Sequence, residues 1–84
     1  MIYLDEKRDE YIRCLTDELP ILRARLRISQ GDLAKSVGIS RQTYSLIETG
    51  KQPMTWITFM AMIAFFSGNA KTRKDLASLN LIDN

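Results

Sequence analysis

The sequence predicts an all-α fold, and three observations carry that prediction. Residues 29–50, SQGDLAKSVGISRQTYSLIETG, hold two short helix signatures back to back with one glycine between them. Residues 56–66, WITFMAMIAFF, form an uncharged apolar stretch bounded by Thr55 before it and by Gly68 and Asn69 after it. Ahead of both, Tyr11, Leu15, Leu22 and Leu26 recur on an apolar stripe of helical period. At 84 residues the chain is one domain, near the lower end of what a single core stabilises.

The elements follow in chain order. Met1 to Leu4 are apolar and carry neither the basic start nor the cleavage pattern of a signal peptide. Asp5 to Leu15 reads as helix, because acids lead it and Tyr11 and Leu15 lie four apart on one face. Pro20 disfavours helix at Leu19. Either Thr16 or Asp17 caps a new helix that tolerates Pro20 in its first turn, or one long helix is kinked at that point. The first reading divides the chain into a helical leader, 1–16, and a domain, 17–84. In both readings the stripe continues to Arg27, and this helix is expected to pack across both helices of the motif that follows.

In that motif Ser29 can cap a helix, and Asp32 three residues on completes a capping box. Ile28 and Leu33 have the spacing of a hydrophobic staple, and Gly38 suits a left-handed stop. Ser40 caps the next helix, with Ile39 and Tyr44 as its staple and Gly50 as its stop. Helices so short, joined by so tight a turn, cannot lie antiparallel as a bundle hairpin does. The expected arrangement is a helix-turn-helix over 30–49, whose second helix enters the DNA major groove. Further on, Thr55 caps a fourth helix, and Thr72 with Asp75 forms a possible capping box for a last helix ending near Leu79.

The chemistry of the second motif helix agrees. At about 100° per residue, Arg41, Gln42, Ser45, Leu46 and Thr49 fall on one side, and Thr43, Tyr44 and Ile47 on the other. The second group suits a core, while the first suits base edges and phosphates. Arg forks onto guanine, Gln onto adenine, Ser bonds either, and the Leu46 tip can touch a thymine methyl. An ordinary amphipathic surface helix has a polar outer face too. The paired caps and stops at fixed spacing are what favour the motif.

On these residues Leu22 to Phe66 resembles the Xre family, the phage Cro and repressor type of helix-turn-helix domain. The resemblance rests on Ser29, Gln30, Leu33, Ala34, Gly38, Ser40 to Thr43, Ile47, Glu48, Gly50 and Lys51. It implies a compact bundle of about five helices, the lambda-repressor-like DNA-binding domain, in a small transcriptional regulator acting as a repressor. It also implies that Arg23 and Glu48 pair and lock the first helix against the third. Two departures stand out: Tyr44 replaces a smaller aliphatic residue, and the loop after Lys51 is short.

The candidate interface is then specific. Arg41, Gln42, Ser45 and Leu46 meet base edges, and Gln30, at the start of its helix, holds a phosphate. Thr49, Lys51 and Arg25 add backbone contacts, and Ser40 and Thr43, which open the recognition helix, complete the DNA-binding set. Charge is distributed accordingly. Residues 1–18 hold six acids and three bases, a net of −3, whereas residues 19–53 hold six bases and two acids, a net of +4. The basic middle matches a phosphate surface, and the acidic leader is expected to face away from it.

Other chemistries lack their residues. With one cysteine and no histidine there is no intramolecular disulfide, no Cys/His zinc cluster and no Ser/His or Cys/His nucleophile pair. The chain therefore reads as a non-enzyme without cofactors, in a reducing, nucleoid-associated cytoplasmic setting, with Cys14 as a small buried or half-buried side chain. The Trp56–Phe66 stretch is too short to span a bilayer, which needs about 20 residues. It is apolar on nearly every side, and a domain this small covers only about half of it. The expected use of the remainder, with Leu79, Leu81 and Ile82, is a homodimer interface, since two-fold symmetry suits a palindromic double-stranded operator. The rival reading is an antitoxin-like protein-interaction module that uses the leader or this helix to hold a protein partner.

Overall fold

The computed structural model describes residues 2–83, with side chains described from Lys7 to Asp83. Met1 and the side chains of 2–6, including two of the leader's acids, lie outside the described residues. Five helices follow in order: α1 Ile2–Leu26, α2 Gln30–Val37, α3 Arg41–Glu48, α4 Trp56–Ser67 and α5 Ala70–Ser78. The described residues contain no strand.

α1 is one unbroken helix of 25 residues with Pro20 inside it. No new helix is capped at Thr16 or Asp17. Instead the Thr16 hydroxyl donates back to the Ile12 carbonyl at 2.7 Å, as a helix-interior threonine does. A proline inside a helix costs about 3 kcal/mol. Leu15, Leu19 and Leu22 on one stripe are all fully buried, and each such burial contributes about 1.5–3 kcal/mol. The stripe outweighs the break because those leucines share a face only if the helix continues. The Pro20 ring itself stays exposed.

The core gathers Leu15, Leu19 and Leu22 of α1, Leu33 and Ala34 of α2, Tyr44 and Ile47 of α3, Met54 of the following loop, Phe59, Met62 and Phe66 of α4, and Leu76 of α5. α1 packs on α3, α4 and α5, and α2 rests on α3 and α4. Of the two motif helices α1 packs chiefly on α3, less evenly than the expected packing across both. Leu33 and Ala34 are the buried residues of α2 and join the common core with the α1 leucines, Tyr44 and Ile47.

Both motif helices begin as their sequence dictates. Ser29 accepts from the Asp32 amide, and the Asp32 side chain accepts from the Ser29 amide. Ser40 accepts from the Thr43 amide at 3.0 Å. Thr55 does the same for α4. Gly38 (φ +82°) and Gly50 (φ +79°) take the left-handed conformation after α2 and α3, and the bonds Ile39 N–H to Ala34 O and Lys51 N–H to Leu46 O close the turns. α5 differs from expectation. Its cap is Asn69, whose side chain accepts from the Lys71 amide at 2.9 Å. Thr72 and Asp75 lie inside the helix. The buried Thr72 hydroxyl donates to the Phe66 carbonyl at 2.6 Å, tying α5 to the end of α4, and Asp75 meets Arg25 Nε at 2.6 Å. Those tertiary partners claim both side chains of the apparent capping box.

The end of α1 uses the same turn without a glycine. Arg27 sits at φ +56°, and the Ile28 N–H bonds the Arg23 carbonyl across it. A side chain in the left-handed region costs about 1–2 kcal/mol, part of which glycine returns as chain entropy on folding. Arg27→Gly is therefore expected to stabilise the fold by about 0.5–1 kcal/mol, read as a higher urea midpoint with an unchanged slope.

Candidate nucleic-acid interface

α3 presents two chemically distinct sides because its caps fix where it starts and its apolar residues fix its roll. Tyr44 and Ile47 are buried, at 0% and 2% exposure. On the opposite side Arg41 and Gln42 are exposed, Ser45 and Leu46 are half-exposed, and Thr49 is exposed at the C-terminal end. Among the described residues neither Arg41 nor Gln42 forms an ion pair or side-chain hydrogen bond, so both are free for an external partner. The Arg41 stem runs over the start of α2, with its Cδ 3.7 Å from where a Cβ on Gly31 would lie.

The hydroxyls of the set are differently placed. Ser40 and Thr43 are bonded to each other at 2.9 Å within the helix cap. Thr49 donates to the Ser45 and Leu46 carbonyls. Ser40 and Thr49 retain acceptor capacity while their protons serve the helix, whereas Thr43 accepts from Ser40 and keeps its own proton to donate. Lys51 is exposed in the turn after α3, and Gln30 is half-buried at the first position of α2. Arg25, grouped above with Lys51 as a backbone ligand, is instead held at α5 by Asp75.

Behind the polar side lies a charged cluster. Arg23 Nε donates to Glu48 Oε2 at 3.0 Å and Nη2 to Oε1 at 2.8 Å, a two-pronged contact. Its remaining Nη1 donates to the Ile28 carbonyl at 3.3 Å, at the joint between α1 and α2. The Tyr44 hydroxyl donates to Glu48 Oε2, and the guanidinium lies 5.9 Å from the Tyr44 ring centre. The side chains of Arg23 and Glu48 are 21% and 10% exposed, so this is neither a solvated surface pair nor a sealed one. Burial pushes the Glu48 carboxyl up, but the bonds from Arg23 and Tyr44 and the Arg23 charge outweigh it, with Gln30 helping, and hold it below the ordinary range. Burial and the Glu48 bond push the Tyr44 hydroxyl well above a free tyrosine, so it stays a donor.

Sequence reasoning placed Tyr44 in the core but missed its hydroxyl's role, because an i to i+4 Tyr–Glu spacing is common and only the arrival of Arg23 makes it a cluster. It also missed Arg25–Asp75, which has no local signal. Cys14 is half-buried. Burial, with Glu18 and Asp17 nearby, pushes its thiol up, the opposite of what a reactive thiolate needs. Among the described residues no group of His, Cys, Asp and Glu could hold a metal ion, and no helix is long and apolar enough to cross a membrane.

Two outcomes test the cluster. Arg23→Met leaves Glu48 and its bonds to the protein interior uncompensated, and is expected to destabilise by about 2–4 kcal/mol, between the ranges for exposed and buried pairs; thermal melting measures it. Because the folded pKa of Glu48 is lowered, its stabilisation is present above the unfolded value of about 4.3 and is lost as pH falls through the folded value. Urea midpoints are therefore expected to drop below about pH 4.5, and to drop less steeply in Glu48→Gln.

Comparison with known proteins agrees with the geometry. No curated protein and no solved structure matches the chain. A family described as a helix-turn-helix domain matches residues 15–66, more than half of the sequence, from the buried Leu15 of α1 through α4. The chain belongs to that helix-turn-helix domain family, whose partner is DNA.

Proposed function

We propose that the protein is a transcriptional regulator of the Xre type, a repressor, that reads a palindromic operator with α3 in the major groove. The observation that carries this reading is the exposure of Arg41 and Gln42, free of internal partners, on a helix whose opposite side is buried. In this reading Arg41, Gln42, Ser45 and Leu46 read base edges. Gln30 and Lys51 take phosphates, and Ser40 and Thr49 contribute as acceptors and Thr43 as a donor, through water or direct contact at the groove edge. The net +4 of residues 19–53 supplies the attraction.

The operator is read by two copies. α4 carries no charged residue. Its aromatic residues are mostly spent internally: Phe59 and Phe66 are core, and Trp56 stacks on Phe59 at 4.6 Å beneath Arg8. Leu81 and Ile82 also pack against the core. What remains outward is Ile57, at 81% exposure, and Met60, at 56%, with Ala64 one turn on from Met60. That stripe is the narrower dimer surface we assign, and an antitoxin-like partner protein is the competitor for it.

Gln42→Ala is expected to lose about 1–3 kcal/mol of binding at one base position only. Fluorescence anisotropy on single-substitution duplexes reads this, and a loss spread evenly over all duplexes would make Gln42 a phosphate ligand instead. Binding should weaken with salt at a slope near −0.9 per phosphate contacted. Sedimentation at tens of micromolar should show a dimer that Ile57→Lys dissociates; a monomeric wild type would remove the two-copy model.

A further inference from the structure

We propose that Tyr44 is a positioning residue for sequence reading: its hydroxyl fixes the roll of α3 against α1 and thereby sets where Arg41, Gln42 and Ser45 point in the groove. This rests on the DNA reading above and deepens it. Tyr44 is also where the chain departs from the resembled family pattern.

The geometry makes the hydroxyl part of one connected object. Glu48 is the last residue of α3 and Tyr44 lies one turn before it on the same helix. With only Arg23 present, the Glu48 carboxylate could swing about its stem and still keep a two-pronged contact. The Tyr44 hydroxyl removes that freedom, because it takes Oε2, the oxygen that also accepts from Arg23 Nε. The carboxylate plane is then set by α3 itself, and the guanidinium must follow it. The Tyr44 ring cannot compensate by moving, since it is fully buried beside Ile47 in the core. The third arm of Arg23 extends the same constraint to the Ile28 carbonyl, two residues before Gln30. Arg23 is further clasped there by its own carbonyl, which accepts the Ile28 N–H at 3.2 Å. One guanidinium thus relates the phosphate-facing start of α2 to the base-facing side of α3, and the tyrosine hydroxyl defines the angle. A helix rolled by a few degrees still meets phosphates, whose charge is forgiving of direction. It does not keep a two-pronged contact with a base edge.

Tyr44→Phe keeps the ring and removes only the hydroxyl. The probe is the duplex that the wild-type protein enriches from a random pool, compared with a scrambled duplex of the same composition. Leu76→Val, a core change on α5 away from the cluster, is the control for lost stability. We expect Tyr44→Phe to lower the ratio of the two affinities by about tenfold, the size of one weakened base contact. Scrambled-duplex affinity and salt slope should be unchanged, and Leu76→Val should keep the wild-type ratio. Without DNA, hydrogen exchange of the amides of residues 44–48 should speed up in Tyr44→Phe relative to those of α2. An unchanged ratio in Tyr44→Phe, or an equal fall in Leu76→Val, overturns the proposal and leaves the DNA reading standing. A wild-type ratio of one removes both.

Discussion

Arg23 joins three parts of the chain that lie apart in sequence: the last turns of α1, the joint before α2, and the end of α3. Each of its nitrogens has a partner, and those partners hold the motif in one arrangement. The two motif helices are only eight residues each, too short to be stable alone. Their caps define where they begin and end, but nothing in a cap fixes how one helix rolls on another. That orientation comes from Tyr44 and Ile47 seated in the core and from the guanidinium–carboxylate contact beside them. The exposed side of α3 is polar because its other side is committed.

Electrostatics and packing divide the work between the two ends of α1. The C-terminal half supplies Arg23 to α3 and Arg25 to α5, whereas the leader half reaches α4 through aromatic contact. Tyr11 stacks over Phe59 at 6.4 Å, and Arg8 lies 4.9 Å over the Trp56 ring. A long first helix can serve both ends only if it is continuous, which is why the leucine stripe running past Pro20 matters to the interface as well as to the core.

Local chemistry made much of this legible before any coordinates. Ser29 with Asp32, Ser40 and Thr55 act within one turn of themselves, so their spacing is their structure. Gly38 and Gly50 are legible for the same reason, because a left-handed residue is chosen by backbone sterics alone. The all-helical architecture and its five helices followed from such signals together with the family resemblance. What local chemistry left open or misplaced has the opposite character. Pro20 leaves two readings open on local grounds, and only the distant burial of Leu15, Leu19 and Leu22 selects the single long helix. Thr72 and Asp75 matched a cap pattern, but Phe66 and Arg25 claimed them while Asn69 took the end of the helix. In the candidate interface, the division of α3 into two sides was legible from periodicity. The occupation of the Thr49 hydroxyl, the diversion of Arg25 and the bond from Tyr44 to Glu48 required knowing what lies opposite.

The central claim is that the side of α3 bearing Arg41, Gln42 and Ser45 is held outward to read DNA. Mapping backbone amide shifts by NMR as the pool-selected duplex is added tests it most directly. The account predicts saturable shifts concentrated at the starts of α2 and α3 and around Lys51, with the outer face of α4 unmoved. Shifts confined to α4 and α5, with α3 silent, would contradict it.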